Sequence, residues 1–591
     1  METTCDNMQI EIKQGRLNTL ILKDGNLHLP TPAGALPQEL IDANEAAAKG
    51  RIEEATKLLN DKVEKAMLEI IKQDPLRTDI MLALGMLFKQ TRQLHRAKIL
   101  FEKILQHEQH SLVYNELGYI CRCIGLSSEA IKYQQKAVET DPNNAELLAN
   151  LARMLIGTGK VQEGIELFRK AIEIEPSNAA MHSNFLFNLH FLPHLDPQMI
   201  FDEHEQWGQI HAPVSLAKIS HNNNRDPDRR LRIGYISPDF CAHSVAYFFE
   251  PLLDGHNRDL VEVFGYGNVR MPGTVTERLK QKFDHYRNIR GIDDVTVVDM
   301  IQRDQIDILV ELSGHTTDNR LLVMARKPAP IQVNYLGSPD TTGMKAIDYR
   351  FTDIQANPPE SKKFNTEELV YLPNGFICYR PSEHAPAVVS PPALKNNYIT
   401  FGSFNSRSEI HPHIIDLWAE ILRINSNSRL LLKFGVSADS ELSKYYFDQF
   451  EQKGISSKRV GICGWKTIDE HLGLYGQVDI ALDTYPCNGF TTTCEALWMG
   501  VPVITLVGEC HASRIGLSIL NTIGLDFLAA FKPDEYVAKA SALAANYQDL
   551  TILRSSMRQR MKESPLRDTK GFARKVEAAY RKMWLRWIET T

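Results

Sequence analysis

Between residues 41 and 190 the chain returns on itself every 33 or 34 residues, and few folds accommodate that period. Asp141-Pro142-Asn143-Asn144 recurs 34 residues later as Glu175-Pro176-Ser177-Asn178, and Asp74-Pro75 lies in phase two periods earlier. Gly85, Gly118 and Ala152 hold one small position, and Ala97, Ala130 and Gly164 hold a second, at spacings of 33 and 34. Aromatics follow at Phe101, Tyr133 and Phe168. Small residues at fixed offsets let two helices of a pair approach closely. One such pair cannot bury its apolar face alone, so it stacks on its neighbours and leaves a concave groove.

This helix–turn–helix period with these small residues is the tetratricopeptide signature, with about three clear repeats and degenerate flanking ones. The expected repeat domain covers 41–220, after a loose segment over 1–40 that contains Pro30, Pro32 and Pro37. Solenoids of this kind bind peptides or partner domains along the groove and offer a surface for self-association, while chemistry usually lies elsewhere.

After the polar stretch His221 to Asp228 the period changes. Leu231–Ile236, Val261–Tyr266, Ile306–Leu312 and Ile331–Leu336 are apolar runs of strand length with helical patterns between them. Pro381 to Leu394, rich in Pro and Ala, is a linker. A second alternating set follows at Tyr398–Phe401, Leu430–Phe434, Val478–Leu482 and Val501–Leu506, closed by a helix from about Asp568 to Glu589. Strand–helix alternation of this type gives doubly wound parallel sheets. The expected fold is an α-solenoid followed by two Rossmann-like lobes, 230–385 and 395–591, whose strand ends face each other across a cleft. At 591 residues, three or four domains are natural.

Composition narrows the partners. A net charge of −6 argues against general nucleic-acid binding. No apolar run approaches the roughly 20 residues needed to span a bilayer. Met1 to Arg16 lacks the apolar core of a signal peptide. The nine cysteines are scattered, and Cys121 with Cys123 has no second pair at metal spacing. The expectation is a reducing, cytoplasmic protein with no membrane contact, no disulfide and no metal.

Asn488-Gly489-Phe490-Thr491-Thr492-Thr493-Cys494-Glu495 is the strongest candidate for chemistry. It joins the strand Val478–Leu482 to a short helix stopped by Gly500 and Pro502. The hydroxyls of Thr491, Thr492 and Thr493 then sit at a helix N-terminus, where unpaired N–H groups and the positive dipole end receive a phosphate. Glu495, one turn on, would accept a ribose hydroxyl. The same pattern also suits a Thr-capped helix with no ligand.

In the first lobe, Asp239 and His243 follow the first strand. His243 could carry a proton with Asp239 orienting it, or Asp239 could simply cap a helix. His315 follows another strand, and Pro339 and Thr341 lie in the Gly337–Gly343 turn, which could hold a sugar or be only a tight connection. In the second lobe the candidates are Asn405, Ser406 and Arg407 after its first strand, His471, and Arg514 as a cation for a diphosphate. No Walker loop and no Gly-x-Gly-x-x-Gly after a strand is present, which disfavours nucleotide hydrolysis and dinucleotide redox chemistry.

Taken in order, these segments resemble glycosyltransferase family 41, which contains O-linked N-acetylglucosamine transferases and SPINDLY-type O-fucosyltransferases. The carriers are Arg232–Ser237 with Asp239 and His243, Asp307–Thr316, Lys327–Gln332, Gly337–Gly343, Phe401–Asn405, Asp483-Thr484 with Pro486, Gly489–Glu495 and His511–Gly516. The resemblance implies a GT-B fold and an inverting, metal-independent transfer from a nucleotide-diphospho-sugar, with no cofactor, to Ser or Thr of proteins recruited by the repeats. It implies that Asp239 and His243 are catalytic, that Thr491, Thr492 and Glu495 contact diphosphate and ribose, and that His471 lies beside the base.

Three departures stand out. Glu409 occupies the place where the family usually has a lysine for the diphosphate, so either Arg407 or another cation such as Arg514 substitutes, or donor binding is weakened. Phe490 stands where the mammalian type has a histidine. The Ser338–Thr342 turn is nearer the SPINDLY version, which leaves the sugar open between N-acetylglucosamine, taken first, and fucose or another hexose. The alternatives to a protein O-glycosyltransferase are a repeat scaffold that keeps the nucleotide-sugar cleft without turnover, and a nucleotide-sugar epimerase, which has no need of a peptide groove.

Overall fold

The computed structural model describes residues 51–590 except 60, 195, 218–219 and 435–440, and before them 21–23, 26–28, 42–43 and 45–47. Most of the expected segment 1–40 lies outside the described residues; within it, β1 (Ile21–Lys23) pairs antiparallel with β2 (Asn26–His28). The chain forms two compact units, one running to Leu155 and the other holding 156–439 and 443–591.

In the first unit, helix pairs such as Thr78–Gln90 with Leu94–Ile104 and Ser111–Cys123 with Ser127–Thr140 repeat along the chain. The small positions have a steric cause. A Cβ on Gly85 would overlap the Phe101 ring, and one on Gly118 would press on Gln134 and the Ala130 carbonyl. The tetratricopeptide reading is therefore correct, but the repeat pattern does not stop at the unit's edge. The helices Val161–Ile174, Ala179–Leu189 and Pro197–His211 belong to the second unit.

The second unit contains two parallel sheets. The first lobe has β3 (Leu231–Ser237), β4 (Val261–Gly267), β5 (His285–Asn288), β6 (Ile308–Glu311), β7 (Ile331–Asn334), β8 (Tyr349–Thr352) and β9 (Glu368–Tyr371), in the order β5-β4-β3-β6-β7-β8-β9. The second has β10 (Thr400–Ser403), β11 (Arg429–Lys433), β12 (Val460–Cys463), β13 (Ile480–Leu482), β14 (Val503–Leu506) and β15 (Ala529–Ala530), in the order β12-β11-β10-β13-β14-β15. Both reverse direction beside their first strand, between β3 and β6 and between β10 and β13. Ligands enter a doubly wound sheet at such a point.

Two features join the lobes. The chain crosses between them near Tyr379 and again near Leu566, and the crossings bond to each other. Tyr379 N donates to the Leu566 carbonyl at 2.8 Å, and Arg567 Nη1 donates to the Tyr379 carbonyl at 2.7 Å. The closing helix, Thr569–Thr590, was expected with the second lobe but packs on the first. There Tyr580 meets Tyr235, and Glu577 Oε1 accepts from His256 Nδ1 at 2.8 Å. Its buried Phe572, Val576, Tyr580 and Trp584 form an apolar stripe, and the helix packs on the first lobe's helix Ser244–Gly255 and on β7. No helix among the described residues is long and apolar enough to cross a membrane.

The last repeat helices are fixed to the first lobe by backbone contact and by histidines. A Cβ on Gly208 would overlap the Gly343 carbonyl, and one on Gly343 would overlap the His204 carbonyl. His182, His204 and His315 are buried nearby, with the His204 and His315 rings 5.1 Å apart. Burial holds His182 down to about 4 and His204 to about 3, below the ordinary 6.5. Their folded values are depressed, so their contribution is intact above about pH 6.5 and is lost as pH falls from there toward 3–4. Acid should therefore destabilise the second unit by about 1.4 kcal/mol per pH unit for each such histidine. Denaturant unfolding between about pH 7 and pH 4.5 checks this, and a flat profile would contradict it.

Candidate functional site

The switch point of the second sheet is organised by Asp483, just beyond β13. Oδ1 accepts from the Gly489 N–H at 2.7 Å, the Thr484 N–H at 2.9 Å and Asn405 Nδ2 at 3.1 Å, and Oδ2 accepts from Thr505 Oγ1 at 2.7 Å. One buried carboxylate thus holds the loop 484–490 in place, and Asn488 ties it to the carbonyls of Thr484 and Leu506. The loop delivers the chain into the helix Thr491–Trp498. No side chain caps this helix, so its first N–H groups are left for another acceptor.

A cavity of about 310 Å³ lies at that helix start. The second lobe lines it with Ser406, Glu409, Cys487–Thr492, His511, Ala512 and Ile515. The first lobe contributes Ser244, Leu336–Pro339, Arg350, Phe351 and Phe376. Phe490 closes one side. Its ring stacks on Phe248 at 4.2 Å and an interplanar angle of 2°, and lies parallel to Phe376 at 6.4 Å.

Of the expected residues, Thr491, Thr492, Ser406 and Pro339 line the cavity. Ser406, exposed, contacts the Ser408 hydroxyl at 2.9 Å. Arg407 is partly buried beside them in the same 3-10 turn. Asn405 is framework, held by Asp483 and Thr484. Glu495 and His471, expected as separate contacts, form one buried pair, Oε2 to Nε2 at 2.9 Å, and His471 Nδ1 has no partner among the described residues. Lys433, at the end of β11, feels the Glu495 charge, though burial lowers its pKa.

His243 and Asp239 stand at the first lobe's switch point. His243 is the N-cap of the helix Ser244–Gly255, its Nδ1 3.4 Å from the Val245 N–H and 3.5 Å from Asp239 Oδ1. As a cap the ring accepts at Nδ1; paired with Asp239 it donates there, leaving the Nε2 lone pair free. Asp239 Oδ2 is buried without a partner. Burial pushes this carboxyl up, Asp318 adds to the rise and His243 opposes it.

Four expected residues point elsewhere. His315 is buried, with Nε2 against the Thr342 carbonyl at 2.9 Å and Nδ1 against Ser183 Oγ at 3.0 Å, so it packs the last repeat onto the lobe. Thr341 donates to Glu367 Oε2 at 2.5 Å beneath the turn. Arg514 donates to the carbonyls of Gln355 at 2.8 Å and Gly508 at 2.9 Å, so it ties loops of the two lobes together and is absent from the cavity wall. Thr493 turns inward against the sheet and is buried.

The cation that does line the cavity is Arg350. Nη1 donates to Asn334 Oδ1 at 2.8 Å and Nη2 to the Ser338 carbonyl at 3.2 Å, while Nε has no partner. No motif announces it. It lies on β8 opposite Asn334 of β7, a pairing visible only once the strand register is known. Among the described residues, no three His, Cys, Asp or Glu side chains gather so as to hold a metal ion.

Residues 206–386 and 387–576 match the profile of glycosyl transferase family 41, and 127–183 match a tetratricopeptide repeat profile. The chain is 40% identical over 412 residues to a Solanum lycopersicum protein described as probable UDP-N-acetylglucosamine–peptide N-acetylglucosaminyltransferase SPINDLY, covering 69% of this chain and 44% of that protein. It is 32% identical over 367 residues to the Arabidopsis thaliana protein SEC, described by the same activity, covering 60% of this chain and 37% of that one. The matched region spans less than half the length of these relatives. A solved chain of a Thermobaculum terrenum O-GlcNAc transferase mutant superposes with a TM-score of 0.80 at 32% identity, covering 87% of this chain and 98% of that one. With both lobes matched and the repeats preceding them, the chain belongs to glycosyl transferase family 41.

Proposed function

We propose that the chain is a protein O-glycosyltransferase that moves a sugar from a nucleotide-diphospho-sugar to Ser or Thr hydroxyls of protein acceptors. The cavity at the head of the helix Thr491–Trp498 carries the reading. Uncapped N–H groups, two hydroxyls and the Arg350 guanidinium converge there on a space reaching Ser244, the neighbour of His243. Such a site stabilises the charge that develops on a departing diphosphate. The acceptor hydroxyl attacks the anomeric carbon in line, inverting it. His243 Nε2 takes the hydroxyl proton while Asp239 holds the ring, and no cofactor or metal is required. The activity by which the relatives are described supports N-acetylglucosamine as the sugar and protein as the acceptor, and the repeats are suited to recruit it.

Thr491→Ala combined with Thr492→Ala should weaken nucleotide-sugar binding about 10- to 100-fold, since hydrogen bonds to a charged group contribute about 1.5–3 kcal/mol. Unchanged affinity by calorimetry would remove the helix start from the site. Transfer itself is read from the intact mass of a co-expressed acceptor, with and without a chelator. Glu409 on the cavity wall favours a second reading, a scaffold that binds the nucleotide-sugar without turning it over, and an acceptor of unchanged mass would support it.

A further inference from the structure

We propose that Glu409 is a donor-binding residue that meets the diphosphate as a neutral carboxylic acid, so that the anionic nucleotide-sugar enters the cleft together with one proton. The ligand class rests on the transferase reading above; the protonation does not.

Glu409 lines the cavity beside Ser406, Cys487 and Thr491, so a phosphate received by the helix start lies against this carboxyl. Two unit charges about 4 Å apart at an effective dielectric near 20 repel by about 4 kcal/mol. A charged Glu409 would thus oppose the anion that the rest of the wall attracts.

The hydrogen bonds say which acid of the local pair holds the proton. Asp483 accepts from four donors, Gly489 N, Thr484 N, Asn405 Nδ2 and Thr505 Oγ1, which is the environment of a carboxylate. Glu409 Oε2 has a 3.3 Å contact with Thr484 Oγ1. The Thr484 hydroxyl has a single proton, and its 2.8 Å contact with the Cys487 carbonyl is the shorter claim on it. The 3.3 Å contact then closes with a proton from Glu409, leaving the Thr484 lone pairs to accept from Asn405 and Glu409. Of two neighbouring acids, the one with fewer donors holds its proton to the higher pH.

The remaining titratable neighbours do not offset this. Cys487 is held in its thiol form by burial and by both acids. His411, two residues on, is buried and held down to about 4 by burial and by His413, so it is neutral. His511 is held down to about 3 by burial. Arg407, two residues earlier in the same turn, acts on Tyr446. Arg350 is the fixed positive charge of the wall. Burial and the nearby Asp483 push Glu409 up to about 8, while the Ser406 N–H and the Asn405 amide oppose the rise. The acid is therefore protonated below that pH and ionises above it.

The test is calorimetry of UDP-N-acetylglucosamine, with a GDP-sugar as second probe, on the full chain from about pH 6.5 to about pH 8.5 in two buffers of different ionisation enthalpy; the diphosphate diesters do not titrate there, and the nucleobase N–H groups ionise only above it. Affinity should begin to fall near pH 8 and be down about fourfold by pH 8.5, with most of a proton taken up per ligand there. Glu409→Gln, which keeps a neutral donor, should bind at every pH about as the unaltered chain does at the acidic end, without proton uptake. A flat profile in the unaltered chain overturns the proposal, and so does Glu409→Gln with an unchanged slope, since the proton would then reside on another group. Flat binding accompanied by sugar transfer leaves the transferase reading standing. If neither probe binds at any pH, even in Glu409→Lys, that reading fails and the inference with it. The proton count needs no variant, so it holds whether or not the substitutions fold.

Discussion

Turnover in a His243→Ala variant is expected to fall about 10²- to 10⁴-fold, the usual range for losing a positioned general base. Donor affinity should change by less than about threefold, because His243 is absent from the cavity wall. Asp239→Asn should lower turnover by a smaller factor. It keeps the shape of a side chain whose Oδ2 is already unpartnered, but removes the charge that favours the tautomer with Nε2 free. Steady-state kinetics beside nucleotide calorimetry separates the two effects. A His243→Ala enzyme at full rate would remove this residue from the chemistry, and loss of donor affinity with unchanged rate would move it into binding.

Gly208→Ala should cost about 1–3 kcal/mol, the range of overpacking in a close-packed interior, with the roughly 1 kcal/mol that Ala returns in helix propensity offsetting part of it. Gly208 lies in the helix Pro197–His211, and its added Cβ would overlap the Gly343 carbonyl. A flexible side chain could step aside; a backbone carbonyl cannot. Gly343 is itself at φ +73°, where a side chain would also be strained. Gly473→Ala is the control, in another helix with nothing within 4 Å of the new carbon, and should be neutral or mildly stabilising. Equal unfolding free energies for the two variants would show that the Gly208 contact is not a constraint. If Gly208→Ala folds but lets protease cut near residues 190–215, the contact is what holds the last repeat to the catalytic lobe.

The sequence showed most clearly those elements whose burial forces a continuous apolar run. The strands β3, β4, β6, β7, β10, β11, β13 and β14 are central and carry such runs, so each is visible without a structure. Edge strands are not: β5 is His-Tyr-Arg-Asn, partly exposed along its length, and nothing in its pattern separates it from a loop. β8 escaped for a related reason, since Tyr-Arg-Phe-Thr places a buried guanidinium mid-strand, and with it went the cation of the cavity.

Chain position after a strand brought His315, Thr341 and Arg514 near the crevice but could not say where they point. Each was claimed by a partner far away in sequence: Ser183 in the last repeat, Glu367, and the Gln355 carbonyl. The acid at 409 was plain from the sequence. Its ionisation was not, because that depends on a hydroxyl 75 residues further on and the carbonyl this hydroxyl prefers.

The doubled crossing at Tyr379 and Leu566 constrains how such a molecule could breathe. Two jaws on one tether swing about any axis, but jaws clasped by two bonded strands of chain turn mainly about the line those strands define. Because Phe490 and Phe248 sit face to face on opposite jaws, that rotation slides or parts their rings before the mouth admits anything the size of a nucleotide. Product escape would then be timed by the unlatching of two phenyl rings, a step that carries no charge and that salt should leave nearly untouched.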